Sequence, residues 1–217
     1  TVSGAGAVNL GNEVTAAAVL GTSALGPITI GLKGLDYVGN VTTGSGNDVL
    51  SIYSAVRNNT GSYTLATGSG TDSLTLSIAQ SFTWNAGADY DSLKFVDDLD
   101  LSTRVISLTS VDEFLLDAGA SGVSKTVTIN PTTFSSNNVF NLRGTTAGGD
   151  VLVVQGLAAA EIINANQVSI DPNFAALRLN GAAGNDTITG SSWADTNYGG
   201  AGNDLLSGGN YGETYIY

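Results

Sequence analysis

Gly-Asn-Asp occurs at residues 184–186 and again at 202–204, so Asp186 and Asp204 stand eighteen residues apart. In each copy an apolar residue, Ile188 or Leu206, follows two places after the aspartate. Glycine permits the positive-φ turns that bring several backbone carbonyls to one point, and aspartate adds a hard anionic oxygen. Carbonyl and carboxylate oxygens are the donors that Ca2+ prefers, so these residues point to metal coordination.

Read in nines from Gly181, the chain gives GAAGNDTIT, GSSWADTNY, GGAGNDLLS and then GGNYGETYIY with one extra residue. Glycine opens every unit, at Gly181, Gly190, Gly199 and Gly208. An acidic residue follows at Asp186, Asp195 and Asp204, and at Glu213 once the inserted residue is passed. G-G-x-G-x-D-x-U-x, with U bulky and apolar, is the nonapeptide of calcium-binding β-helices. Residues 199–207 match it at every defined position, and residues 181–189 depart from it only at Ala182.

On these residues the chain resembles the RTX family, secreted proteins with glycine-rich nonapeptide repeats. The resemblance is strong over residues 181–217 and fragmentary before them. It implies that each nonapeptide makes a six-residue turn and a three-residue strand, that two nonapeptides complete one right-handed coil, and that calcium lies between turns stacked on one side. Asp186 and Asp204 would then share one side, and Asp195 and Glu213 the other. The turn residues Gly181, Ala183, Gly184, Gly199, Ala201 and Gly202 would contribute to the metal sites. Trp193 and Asn197 depart from the pattern in the middle unit, which weakens the match around Asp195.

Isolated copies of the signature lie upstream. TGSGNDVLS (residues 43–51) and TGSGTDSLT (residues 67–75) offer Asp48 and Asp72 with inward Leu50 and Leu74. AGADYDSLK (residues 86–94) offers Asp91, with Asp89 close by, and TTAGGDVLV (residues 145–153) offers Asp150. The intervals from Asp48 to Asp72 and on to Asp91 are 24 and 19 residues, so the upstream coils are expected to be unequal. Asp97, Asp98 and Asp100 read as a solvated turn.

The elements that must position these turns are short. Alternating apolar segments recur as VLSIYSAV, SLTLSIA, SLKFV, KTVTIN, NVFNLRG, DVLVVQG and ALRLNG. Each has the length and two-residue period of a half-buried strand. With 29 glycines and three prolines among 217 residues, glycine turns rather than helices are the expected punctuation. Three stretches could be helical: residues 12–21, 110–119 and 157–166. The second has Ser110 and Glu113 at a capping-box spacing, although it also alternates as a strand would. The expected fold is all-β: a right-handed parallel β-solenoid of irregular coils over residues 1–180, ending in a calcium-binding RTX β-roll over residues 181–217.

Composition removes other functions. A net charge of −12, from seven Lys and Arg against nineteen Asp and Glu, argues against nucleic acid and anionic membranes as partners. No run is long and apolar enough to span a bilayer. Without Cys or His there is no thiolate nucleophile, no disulfide and no imidazole base. The HExxH of RTX proteases is impossible and the GxSxG of RTX lipases is absent, and no spacing singles out a glycosidase carboxylate pair. An enzyme is therefore not expected. NNT at residues 58–60 is explained by loop composition, and Trp84 and Trp193 by packing.

The expected function is a calcium-dependent extracellular structural protein, an S-layer or surface-assembly domain at the bacterial cell surface. Several Ca2+ ions would drive its folding and self-association. A start at Thr1 suggests a piece processed from something longer, and the resemblance implies export by the type I route. The alternatives are an RTX adhesin or carbohydrate-binding module contacting a cell-surface glycan, and the non-catalytic tail of a secreted RTX enzyme.

Overall fold

The computed structural model describes residues 3–4, 6, 8–9, 18–20, 23–24, 26–33, 39–53, 61–117, 122–135, 140–145, 149–209 and 212–217. Among the described residues the regular structure is mostly β-strand in parallel sheets with almost no helix, and the chain divides into two compact units. The first comprises residues 1–96 and 105–114, the second residues 97–104 and 115–217.

In the first unit, Ile28–Lys33, Val49–Tyr53, Ser73–Leu76 and Ser92–Phe95 are consecutive neighbours in one sheet. Gly39–Thr42, Ser62–Ala66, Ser81–Asn85 and Ile106–Thr109 are consecutive neighbours in another. Through Ser92–Phe95 the chain alternates between these sheets and each strand pairs in parallel with the strand two elements on, while Ser81–Asn85 pairs with Ile106–Thr109, three elements on. Register is set by the apolar alternation, since a slip of one residue would turn every inward side chain outward. Leu50, Leu74 and Leu93 therefore stack in one row, Ile52, Leu76 and Phe95 in the next, and Val41, Leu65, Trp84 and Leu108 in a third. All ten are at most 2% exposed and form the core of this unit.

In the second unit a six-stranded parallel sheet runs through Leu99–Leu101, Thr126–Ile129, Val151–Gln155, Ala176–Asn180, Asp195–Tyr198 and Thr214–Ile216. Ile162–Asn164, Thr187–Thr189 and Leu205–Ser207 form a three-stranded sheet, with Ile163, Ile188 and Leu206 in one row. From Ala176 onward the chain again alternates between two sheets.

Two of the helical alternatives are strands. Glu113–Leu116 alternates with Phe114 and Leu116 wholly buried, and Ile162–Asn164 points Ile163 inward. Within residues 12–21, Ala18–Leu20 is a strand, and residues 12–17 and 21 lie outside the described residues. Among the described residues the helix is Pro131–Ser135, which the periodicity did not indicate. Its signals were local. The Asn130 side-chain Oδ1 accepts the Thr133 N–H at 2.7 Å as an N-cap, and Pro131 occupies the first helical position, where no N–H is needed. Phe134 then packs edge-on against Phe140, with ring centres 5.5 Å apart.

Candidate metal centre

Each GxGxD turn delivers its final aspartate to the residue just before a strand. Asp48 precedes Val49–Tyr53, Asp72 precedes Ser73–Leu76, and Asp91 precedes Ser92–Phe95. In the second unit Asp150 precedes Val151–Gln155, Asp186 precedes Thr187–Thr189, and Asp204 precedes Leu205–Ser207. Because parallel strands stack in register, aspartates at equivalent places also stack, one per strand.

The stacking produces a ladder in which each carboxylate accepts a backbone N–H from the strand before it. In the first unit Asp48 Oδ1 accepts from Ile28 at 2.7 Å, Asp72 Oδ1 from Asp48 at 2.8 Å, and Asp91 Oδ1 from Asp72 at 2.8 Å. Asp112, which lies outside every copy of the motif, adds a further rung by accepting the Asp91 N–H at 2.9 Å. Its signal was the spacing: 21 residues from Asp91, between the two earlier intervals. In the second unit Asp204 Oδ1 accepts from Asp186 at 3.0 Å, Asp186 Oδ1 from Glu161 at 2.8 Å, and Asp150 Oδ1 from Lys125 at 2.7 Å. Asp98, read as part of a solvated turn, is exposed, and its Oδ1 accepts the Thr126 N–H at 2.6 Å, from the strand after it rather than the one before.

The ladder uses one oxygen of each carboxylate and leaves the other. Asp48, Asp72, Asp91, Asp150 and Asp186 are at most 1% exposed, and in each the Oδ2 atom is buried without a hydrogen-bond partner. A carboxylate oxygen withdrawn from water without a partner is costly. Burial accordingly pushes the Asp48 carboxyl above the usual range, Asp72 up to about 6 and Asp91 up to about 7.

Glycine makes room for the unpaired oxygen. A Cβ on Gly181 would lie 2.3 Å from Asp186 Oδ2, and one on Gly199 would lie 2.5 Å from Asp204 Oδ2. The first glycine of the nonapeptide thus faces the carboxylate of its own repeat. In the first unit threonines hold that place: Thr43 Oγ1 donates to the Thr67 carbonyl at 2.9 Å, and Thr67 Oγ1 donates to the Ala86 carbonyl at 2.8 Å. The second glycine serves a left-handed turn. Gly200 takes φ +98°, and Ala182 at the equivalent place takes φ +71° despite its Cβ. Asp89 likewise takes φ +80° where the two earlier copies have Gly46 and Gly70, and its Oδ2 accepts the Gly70 N–H at 3.1 Å. Asp91, not Asp89, is the ladder residue.

Successive turns lie directly over one another. Ala183 and Ala201 form a parallel bridge, with the Gly184 N–H donating to the Ala201 carbonyl at 2.8 Å and the Ala201 N–H to the Ala182 carbonyl at 2.9 Å. This brings together Asp186 and Asp204 with Gly181, Ala183, Gly184, Gly199, Ala201 and Gly202. Asp195 is placed differently: it opens its strand, takes the inward slot beyond Leu177, and accepts from the Ser191 backbone N–H and, at 3.0 Å, from the Ser191 hydroxyl. Burial pushes its carboxyl up to about 6, and the charge of Glu213 nearby adds to the shift.

Among the described residues no three acidic, histidine or cysteine side chains converge on one point. A cation here would be held by carboxylates one per turn together with backbone carbonyls. The unpaired Oδ2 atoms and the glycines beside them fit such an ion, and the all-oxygen donor set fits Ca2+ rather than a softer metal. Trp84 is buried, its indole N–H donating to Thr67 Oγ1 at 3.2 Å, while Trp193 is 43% exposed. No protein-family model, no curated protein and no solved structure matches the chain.

Proposed function

We propose that the chain is a calcium-dependent extracellular structural protein, a domain of an S-layer or similar assembly at the bacterial cell surface. Its architecture on this reading is a right-handed parallel β-solenoid of irregular coils over residues 1–180 that ends in an RTX-type β-roll over residues 181–217. The observation that carries the proposal is the set of five buried aspartate Oδ2 atoms with no partner, each ending a full or weaker copy of the glycine turn just before a strand.

Asp48, Asp72 and Asp91 would hold ions in the first unit. Asp150, Asp186 and Asp204 would do so in the second, with Asp195 and Glu213 as a further pair. When bound, calcium would supply the positive charge that these oxygens lack. Extracellular calcium modules have dissociation constants of roughly 10⁻⁴ to 10⁻³ M. At a hundredfold excess over that constant each site stabilises the fold by about 2.7 kcal/mol, so several sites decide whether the chain is folded. Export of a loosely folded chain by the type I route, followed by folding outside the cell, is consistent with that dependence.

Self-association is supported by a surface without charge. The outward residues of the sheet containing Ser62–Ala66 form the rows Asn40, Thr64, Thr83, Ser107 and Thr42, Ala66, Asn85, Thr109. Two copies of a chain with net charge −12 can approach there without opposing carboxylates. The test is calcium titration of metal-free protein, followed by calorimetry, circular dichroism and light scattering. The proposal expects several equivalents of bound Ca2+, a rise in melting temperature, and growth of assemblies. Equal melting curves with calcium and with chelator would overturn it.

A further inference from the structure

The chain has seven cations to nineteen anions, and one of those cations lines a groove of about 200 Å³ together with Val153, Asn180 and Tyr198. That cation is Arg178, on the exposed face of the six-stranded sheet. The register builds the groove. Val153 pairs with Arg178 across one strand interface and Asn180 with Tyr198 across the next, so three adjacent strands present four different side chains side by side. Arg178 and Tyr198 are diagonal neighbours, about 8 Å apart from the strand spacing and rise of such a sheet, close enough for one small ring to touch both.

Arg178 forms no hydrogen bond or ion pair among the described residues. In an acidic protein, a guanidinium with no carboxylate partner among the described residues is available to one brought from outside. The Asn180 amide is held in place: its Nδ2 donates to Gln155 Oε1 at 2.9 Å, and its Oδ1 accepts the Ala182 N–H at 3.1 Å. One amide hydrogen is left to donate to a ligand. The Tyr198 ring offers a flat apolar face with a polar tip, and Val153 an apolar patch.

A planar bidentate donor for a carboxylate, a fixed amide for a hydroxyl and an aromatic face for C–H groups together match a sugar ring bearing a carboxylate. The volume is below the usual range for drug-sized ligands, about 300–1,000 Å³, and suits one ring of a longer chain. A single cation on a molecule of charge −12 excludes a polyphosphate backbone, which needs several. We propose that the outer face of this sheet carries a subsite for one uronic acid residue of an acidic polysaccharide, with Arg178 binding the carboxylate. The four lining residues lie outside the carboxylate ladder, so the proposal stands apart from the calcium reading.

The probe is methyl α-galacturonoside, titrated by calorimetry and by saturation-transfer NMR into protein whose fold is checked by circular dichroism, with free calcium matched on both sides. Methyl α-galactoside, which lacks only the carboxylate, is the comparison. The proposal expects the uronoside to bind more tightly than the neutral sugar. It also expects Arg178→Gln to remove that preference, with about a tenfold loss, equivalent to about 1.4 kcal/mol. Tyr198→Ala should weaken both sugars, while Tyr198→Phe should retain the ring contact and most of the affinity. Arg178 is exposed, so its variant is expected to fold like the parent. Equal binding of the two sugars, no binding of either, or undiminished uronoside affinity in Arg178→Gln would overturn it. Those outcomes are read on folded protein whatever its calcium content, so they are distinct from a failure of the metal proposal.

Discussion

Burial makes Asp72, Asp91 and Asp195 accept a proton more readily in the folded state than in the unfolded chain, and this fixes how the metal-free protein responds to pH. Asp72, Asp91 and Asp195 are raised from 3.8 to about 6, 7 and 6, chiefly by burial. Their contribution is therefore fully present below pH 3.8 and is lost as pH rises through 6 to 7. Urea unfolding in chelator should accordingly give a protein more stable at pH 4 than at pH 8 by a few kcal/mol. Saturating calcium should reverse the slope, because protons then compete with the ion for the same oxygens. A flat or rising stability from pH 4 to 8 in chelator would show that the Oδ2 atoms are solvated. At the same scale, Gly181→Ala would place a Cβ 2.3 Å from Asp186 Oδ2 and 2.7 Å from the Gly199 carbonyl. A loss of about 1 to 3 kcal/mol is expected from such overpacking. Gly6→Ala, where a Cβ meets nothing within 4 Å, should be close to neutral in the same denaturation assay.

Elements here are short, and their stability depends on what each contributes to a row. Asn197 continues the row after Leu179, at the place where neighbouring repeats have Ile188 and Leu206. It is 0% exposed, and neither its Nδ2 nor its Oδ1 finds a partner. Asn197→Leu should raise the melting temperature, by the equivalent of about 1 to 3 kcal/mol, because it removes two unsatisfied polar atoms and extends the apolar row. A fall would mean that the amide is satisfied in solution. Asn130 caps the helix Pro131–Ser135, and its Nδ2 also donates to the Arg104 carbonyl at 2.8 Å. Asn130→Ala should cost roughly 1 to 2 kcal/mol by chemical denaturation, and Asn130→Asp, which keeps the acceptor, about half of that. These cases mark what could be read from the chain alone. Strands with a strict two-residue period, such as Ser73–Leu76, and turns with glycines at fixed places declare themselves locally. The strand Ile162–Asn164 did not, because the helix-forming alanines just before it, at 158–160, are overridden by the burial of Ile163 in a row with Ile188. The rung at Asp112 lacks the glycines of the motif, so the sequence marks it by its interval from Asp91 alone and the hydrogen bond from the Asp91 N–H reveals it.

For the molecule as a whole, charge and assembly are linked. A net charge of −12 opposes both folding and self-association, and its reach shrinks as salt is added, to a Debye length of about 10 Å at 0.1 M. Sodium chloride should therefore stabilise the metal-free protein, and do so much less once calcium is bound. Calcium differs from salt in acting at the buried oxygens, so it should drive both folding and assembly at concentrations where sodium is ineffective. If copies then meet through the uncharged rows of the first unit, carboxylates placed there should separate the two effects. Thr64 and Thr83 are exposed register partners on adjacent strands, with no role in the core or the ladder. The double variant Thr64→Glu, Thr83→Glu should bind calcium with unchanged stoichiometry by calorimetry and melt at nearly the parent temperature, yet remain monomeric by light scattering. Assembly indistinguishable from the parent's would exclude this face as the contact. Loss of calcium binding would show that the face is coupled to the ladder, which the geometry of the strands argues against, since the outward rows and the carboxylate turns belong to different elements.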